Sequence, residues 1–155
     1  IIMINVDVLS EDINWSKKIK KKEDFIYSIC KAFPKKYQYI NKKVFLTLLL
    51  SNNKKIKKLN KKFRHKNKAT DVLSFPLQKK IKVKNKSYLG DIIISYNFMD
   101  KPKKQSIKLF KNKFIKTFIH GFLHLLSFNH IKIIDYKKML KEEQRIYLSV
   151  IKKVY

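Results

Sequence analysis

Hydrophobic and polar positions alternate, cluster and repeat along this chain in a way that predicts most of its elements. Ile2, Ile4, Val6 and Val8 alternate with polar neighbours, Met3 excepted, which is the period of a strand. Trp15, Ile19, Phe25, Ile26, Ile29, Cys30 and Phe33 suit an amphipathic helix over 15–33, stopped before Pro34, with Lys17 to Lys22 as a solvated turn of it. Val44 to Leu50 is apolar enough for a buried strand. Ser51 and Asn52 are N-cap candidates for a helix whose face is Ile56, Leu59 and Phe63 and which ends near Arg64. Residues 65–70 read as a polar loop. Thr70 to Pro76 reads as a strand that the proline ends or confines to an edge.

Gln78 to Lys86 is a basic connection, disordered or a hairpin loop, and Tyr88 to Ser95 is a strong strand. Asn97 to Ser106, with Pro102, begins a short helix or a loop. A central helix over 107–126 follows. A final helix from Ile133 carries Met139, Glu143, Ile146 and Val150 in register. The order β-α-β-α-β-β-α-α, without internal repeat or long linker, fits one α+β domain over 1–155. Its fold is an αβα sandwich with one mixed, mostly parallel four-stranded sheet and about five helices.

The central helix carries the chemistry. Phe118 to Leu126 is apolar except for His120, Gly121 and His124, so the helix is buried. His120 and His124 are four apart, roughly 40° around the axis and about 6 Å along it, so both imidazoles share one face. His130 lies six residues further, about 9 Å on and about 120° round if the helix continued. For all three rings to reach one ion, the helix must stop near Ser127 and the chain must fold back. Buried neutral imidazoles need partners, and a metal supplies one nitrogen of each ring with one. Gly121 weakens the helix, so close approach of another backbone or of a substrate is expected there.

All-nitrogen ligation suits one zinc ion best, with nickel or copper as alternatives, and three protein ligands are the catalytic pattern. The lone Cys30 excludes a cysteine-rich structural site and an internal disulfide, in keeping with a reducing, cytoplasmic setting. The ligand spacing equals that of the metzincin proteases, but Gly121 replaces their general-base Glu, which argues against peptide hydrolysis of that kind.

Charge adds a partner class. The formal net charge is +27, almost all from lysine, since Arg64 and Arg145 are the only arginines. Such a chain favours anionic partners, nucleic acid first, although the lysines run through the whole sequence with many Ile and Asn as a compositional bias does. Arg64 stands out against that background, either as a planar phosphate clamp or in a salt bridge to Asp71. His65 is read as solvent-exposed and outside the site. Asp71 and Asp91 begin strands and are strand-end caps or loop anchors, Ser74 and Ser95 strand-end hydrogen bonders, so no general base is evident. The apolar runs are too short for a membrane span, and the N-terminal residues show no secretory pattern.

Taken together these segments resemble the YbeY family of bacterial endoribonucleases. The resemblance runs through Leu59-Asn60 to Arg64 with Thr70-Asp71-Val72-Leu73-Ser74-Phe75-Pro76, then Leu89-Gly90-Asp91-Ile92 with Ser95, then the stretch His120 to His130. Met139 and Glu143 fit the family's last helix. The likeness covers the chain from about residue 44, while the first forty residues match in element order only. It implies a single-strand-specific, zinc-dependent endoribonuclease of small-subunit rRNA maturation and ribosome quality control. It implies His120, His124 and His130 as metal ligands and a part in activity for Arg64 and His120. Ser127 replaces the family's Gly, Asn129 its Asp and Phe128 its Tyr. The other readings are a non-enzymatic RNA-binding ribosome-assembly factor with a structural metal, and a metal-dependent hydrolase of non-RNA substrates.

Overall fold

The computed structural model describes residues 4–80 and 82–155. The chain runs β1 (Ile4–Ser10), α1 (Trp15–Lys18), α2 (Lys22–Lys31), a 3-10 turn (Lys35–Tyr37), β2 (Lys43–Ser51) and α3 (Asn53–Arg64). It continues through β3 (Val72–Pro76), β4 (Lys86–Ser95), α4 (Tyr96–Met99), α5 (Ile107–Leu125) and α6 (Ile133–Val154). The sheet order is β1-β2-β4-β3. β1, β2 and β4 are parallel, and β3 pairs antiparallel with β4 at the edge, where Pro76 costs no ladder bond. The expected mixed, mostly parallel sheet is therefore present, with six α-helices among the described residues where about five were expected. Of the first predicted strand, positions 2 and 3 lie outside the described residues.

The helix expected over 15–33 is two helices. Ile19 is extended, with φ −131° and ψ 100°, and separates α1 from α2. Five of the six residues from 17 to 22 are lysines, and like charges one turn apart repel on a helix. The break also lets Trp15 and Ile19 both bury, with the Trp15 indole N–H donating to the Ser51 carbonyl at 2.9 Å. Asn52 is the cap of α3, its Oδ1 accepting from the Lys55 N–H, while Ser51 stays in β2. The connection after Pro76 joins two antiparallel strands, as a long hairpin loop does.

One sheet face is covered by α5 with α2 and α6, the other by α3. α5 supplies the spine of the larger core. Phe110, Phe114, Phe118 and Phe122 recur every fourth residue and are fully buried. Trp15 meets Phe114 edge-on at 5.7 Å between centroids, and Phe33 meets Phe122 at 5.1 Å. Each ring contributes roughly 1.5–3 kcal/mol by burial. The α3 face is smaller, built on Ile56, Leu73 and Ile93. The spine holds α5 rigidly enough to position side chains from its last two turns.

Candidate metal centre

Those last turns carry His120 and His124, and the way α5 ends brings in His130. The Ser127 N–H donates to the His124 carbonyl and the Phe128 N–H to the Leu123 carbonyl, both at 3.0 Å. This pair of bonds is a Schellman turn, which requires a left-handed residue after the cap. Ser127 takes that conformation, φ 73°, as the fold-back demanded. The turn is stapled to His124, because the Phe128 carbonyl accepts from His124 Nδ1 at 2.9 Å. Asn129 Oδ1 accepts from the Ile131 N–H, which shapes the backbone on either side of His130.

The three rings converge. Their available nitrogens lie within 4.8 Å of one another, and the His130 ring is 5.6 Å from that of His120 and 5.1 Å from that of His124. His120 Nδ1 meets Glu143 Oε1 at 2.5 Å. A carboxylate and a carbonyl only accept, so both Nδ1 atoms carry the proton and both Nε2 atoms present lone pairs. Those two Nε2 atoms stand 3.0 Å apart, a separation that a shared proton or a metal ion can bridge. Tetrahedral zinc with bonds of about 2.0–2.1 Å would hold two ligand nitrogens roughly 3.3 Å apart. The donor set, its spacing and its outward hydrogen bonds thus fit a zinc-like ion. Burial, with the neighbouring His120 adding to it, pulls the His124 pKa down to about 4, so this ring stays neutral and ligand-competent at pH 7.

Arg64 arrives from the opposite side of the sheet. α3 ends at His65, in left-handed conformation with φ 58°, and the buried Asn60 ties the following loop down by donating to the Lys68 carbonyl at 2.9 Å. Arg64 Nη2 donates to the Ser74 carbonyl at 2.7 Å, and its guanidinium lies 5.5 Å over the Phe75 ring. Among the described residues it forms no ion pair with Asp71, contrary to one of the two readings. Asp71 instead caps the start of β3, accepting from the Val72 N–H at 2.8 Å. Asp91 lies inside β4 and accepts from the Tyr88 hydroxyl, so it is not a strand-end cap.

Gly121 makes room for side chains of the sheet rather than for another backbone. A Cβ there would stand 2.9 Å from Ile92 Cγ2 and 3.1 Å from Ser74 Oγ, and that hydroxyl donates to the Gly121 carbonyl at 2.9 Å. The contact locks β3, and Arg64 with it, against the metal-site helix. The result is a cleft of about 680 Å³ whose walls include Arg64, Lys66, Lys68 and Lys79 as well as the three histidines. His65 is exposed and absent from those walls, as expected.

Glu143 is the site residue that sequence reasoning did not single out. Its signal was a carboxylate in register with Met139, Ile146 and Val150 on the face of α6 that turns out buried. A charge on an apolar face implies a partner, and the partner is the His120 ring.

Fold and site define a three-histidine group able to hold a metal ion, on a mixed α+β sandwich and opening into a basic cleft. The family model described as Endoribonuclease YbeY matches residues 8–150, and the chain belongs to that family. A protein of Pelagibacter ubique named Endoribonuclease YbeY is 62% identical over 152 residues, covering 98% of this chain and 99% of that one. One of the same name from Buchnera aphidicola (subsp. Acyrthosiphon pisum) is 35% identical over 149 residues, covering 96% and 91%. A solution structure from Thermotoga maritima shares the fold, with TM-score 0.57 and 23% identity over 94% of this chain and 89% of that one. No helix among the described residues is long and apolar enough to cross a membrane.

Proposed function

We propose that the protein is a single-strand-specific, zinc-dependent endoribonuclease, built as one domain, that matures small-subunit ribosomal RNA and serves ribosome quality control. The observation that carries this reading is the convergence of three imidazoles and Arg64 on one cleft with several lysines in its walls. Membership of a family whose curated relatives bear the name endoribonuclease supports RNA as the substrate.

His120, His124 and His130 would hold the ion. When bound, it supplies Lewis acidity toward a phosphoryl oxygen and acidifies water. Glu143 and the Phe128 carbonyl keep the Nδ1 protons of His120 and His124 turned outward, so the Nε2 lone pairs stay aimed at one point. Arg64 spends one N–H on the Ser74 carbonyl and offers the rest of its planar fork to a phosphate. Lys66, Lys68 and Lys79 add less directed positive charge, which draws in a polyanion without reading its sequence. Among the described residues lining the cleft the one carboxylate is Asp71, already engaged with backbone. The described cleft residues therefore contribute positioning and charge, with no free carboxylate among them to act as general base.

Incubating the protein with a single-stranded rRNA fragment, and with the same fragment annealed to its complement, tests this reading across a zinc titration. Zinc-dependent cleavage confined to the single strand is expected, and it should disappear in His120→Ala and fall sharply in Arg64→Ala while RNA affinity persists. Cleavage unchanged in both variants would sink the proposal.

A further inference from the structure

Resting on the ribonuclease reading, we infer that Phe63 is a stacking platform for an unpaired base of the RNA strand entering the cleft. Phe63 sits one residue before Arg64, at the end of α3, and its side chain is 53% exposed. A half-exposed phenylalanine beside an available core costs burial energy, and here the ring is braced where it stands. Phe75 meets it edge-on, 5.4 Å between centroids at 67°, and Phe75 itself packs on the Ile56, Leu73 and Ile93 cluster. Lys62 Nζ lies 5.1 Å from the Phe63 centroid, and Arg64 lies over Phe75. Each aromatic ring thus has a cation beside it, the pairing a nucleotide requires: a flat apolar face for the base and positive charge for its phosphate.

Phe63 and Phe75 lie on the α3 face of the edge strand, outside the cleft walls, and border the cleft through Arg64, which lies over Phe75 and lines it. A strand with a base on Phe63 would pass Arg64 on its way to the histidines. Duplex bases are already stacked on one another and cannot offer a face to the ring. Phe63 would therefore select unpaired RNA in a way that lysines, blind to base pairing, cannot.

A tryptophan at this position reports the contact directly, since the native Trp15 is buried with its N–H bonded inside the core. Metal-loaded Phe63→Trp protein would be mixed in stopped flow, before turnover, with single-stranded oligoadenylate, with duplex RNA, and with inorganic polyphosphate of equal charge. Quenching by oligoadenylate alone is expected. Phe63→Ala should weaken oligoadenylate binding roughly 10- to 100-fold with unfolding unchanged, and Phe63→Tyr should restore it. Equal quenching by polyphosphate, or native affinity in Phe63→Ala, would overturn the platform. The nuclease reading stands apart from this outcome: cleavage by the native protein without stacking removes only the platform, whereas stacking without cleavage retains the platform and removes the nuclease.

Discussion

Two helix ends meet at the cleft, and they are built differently. α5 and α3 both stop at a left-handed residue that is not glycine, Ser127 with φ 73° and His65 with φ 58°. At the end of α5 a full Schellman turn, a buried aromatic spine and a bond from the turn to His124 restrain the backbone. At the end of α3 the flanking residues are exposed lysines, and the restraint comes from Asn60 and from Arg64 reaching across the edge strand. The difference follows the work. A metal ion would tolerate errors of only a few tenths of an ångström in its ligands, and His120 and His124 sit half-buried on the packed helix, while the exposed His130 is placed by the turn. In the proposed role of Arg64, a phosphate clamp for a flexible strand would tolerate more and must be reachable, which fits its place in the cleft wall.

Exchanging the consequences of the two ends would break this comparison. The largest effect is expected in His124→Ala, which should lose bound zinc by elemental analysis and more than ~100-fold in cleavage, beyond what losing an outer-shell partner costs. Arg64→Ala should keep its zinc and lose roughly 10- to 100-fold, the worth of one charge-assisted contact. If Arg64→Ala also lost zinc, the two ends would not be separable.

Next in size, Ser127→Gly should raise unfolding stability by about 1 kcal/mol in urea, because glycine reaches positive φ without the strain of a Cβ. His65→Gly should gain less, since histidine is among the side chains better tolerated there. Equal gains would mean that the two turns are equally strained.

The smallest effect is a pH dependence of the metal-free protein. Its His124 pKa is pulled from 6.5 to about 4 by burial, so the unfolded chain takes up that proton first. The stabilisation is intact above pH 6.5 and is lost as pH falls toward 4. The native melting temperature should drop more steeply through that window than that of His124→Gln, and parallel curves would refute the assignment.

Glu143 shows what could be read in the chain and what could not. Its place in register with Met139, Ile146 and Val150 was legible, but its partner was not, because His120 is 23 positions away on another helix. The break at Ile19 was illegible for a similar reason. The apolar spacing over 15–33 is helical throughout, and only the buried seats of Trp15 and Ile19, together with lysine repulsion, favour two helices. Arg64 drew notice as one of two arginines, yet its bond to the Ser74 carbonyl instead of to Asp71 depends on where the edge strand runs.

By itself, then, the order of residues determined most of the local elements, the paired histidines on one helical face, the need for a turn near Ser127 if His130 is to join them, and the basic character of the whole. These depend on neighbours within a few positions, where spacing translates directly into geometry. The tertiary structure alone decided which side chains from distant segments share a point: His130 with its two predecessors, Glu143 behind His120, Arg64 in the wall of the same cleft. Such meetings follow from how the helices pack on the two faces of the sheet, and packing is a property of the assembled chain that no window of sequence contains.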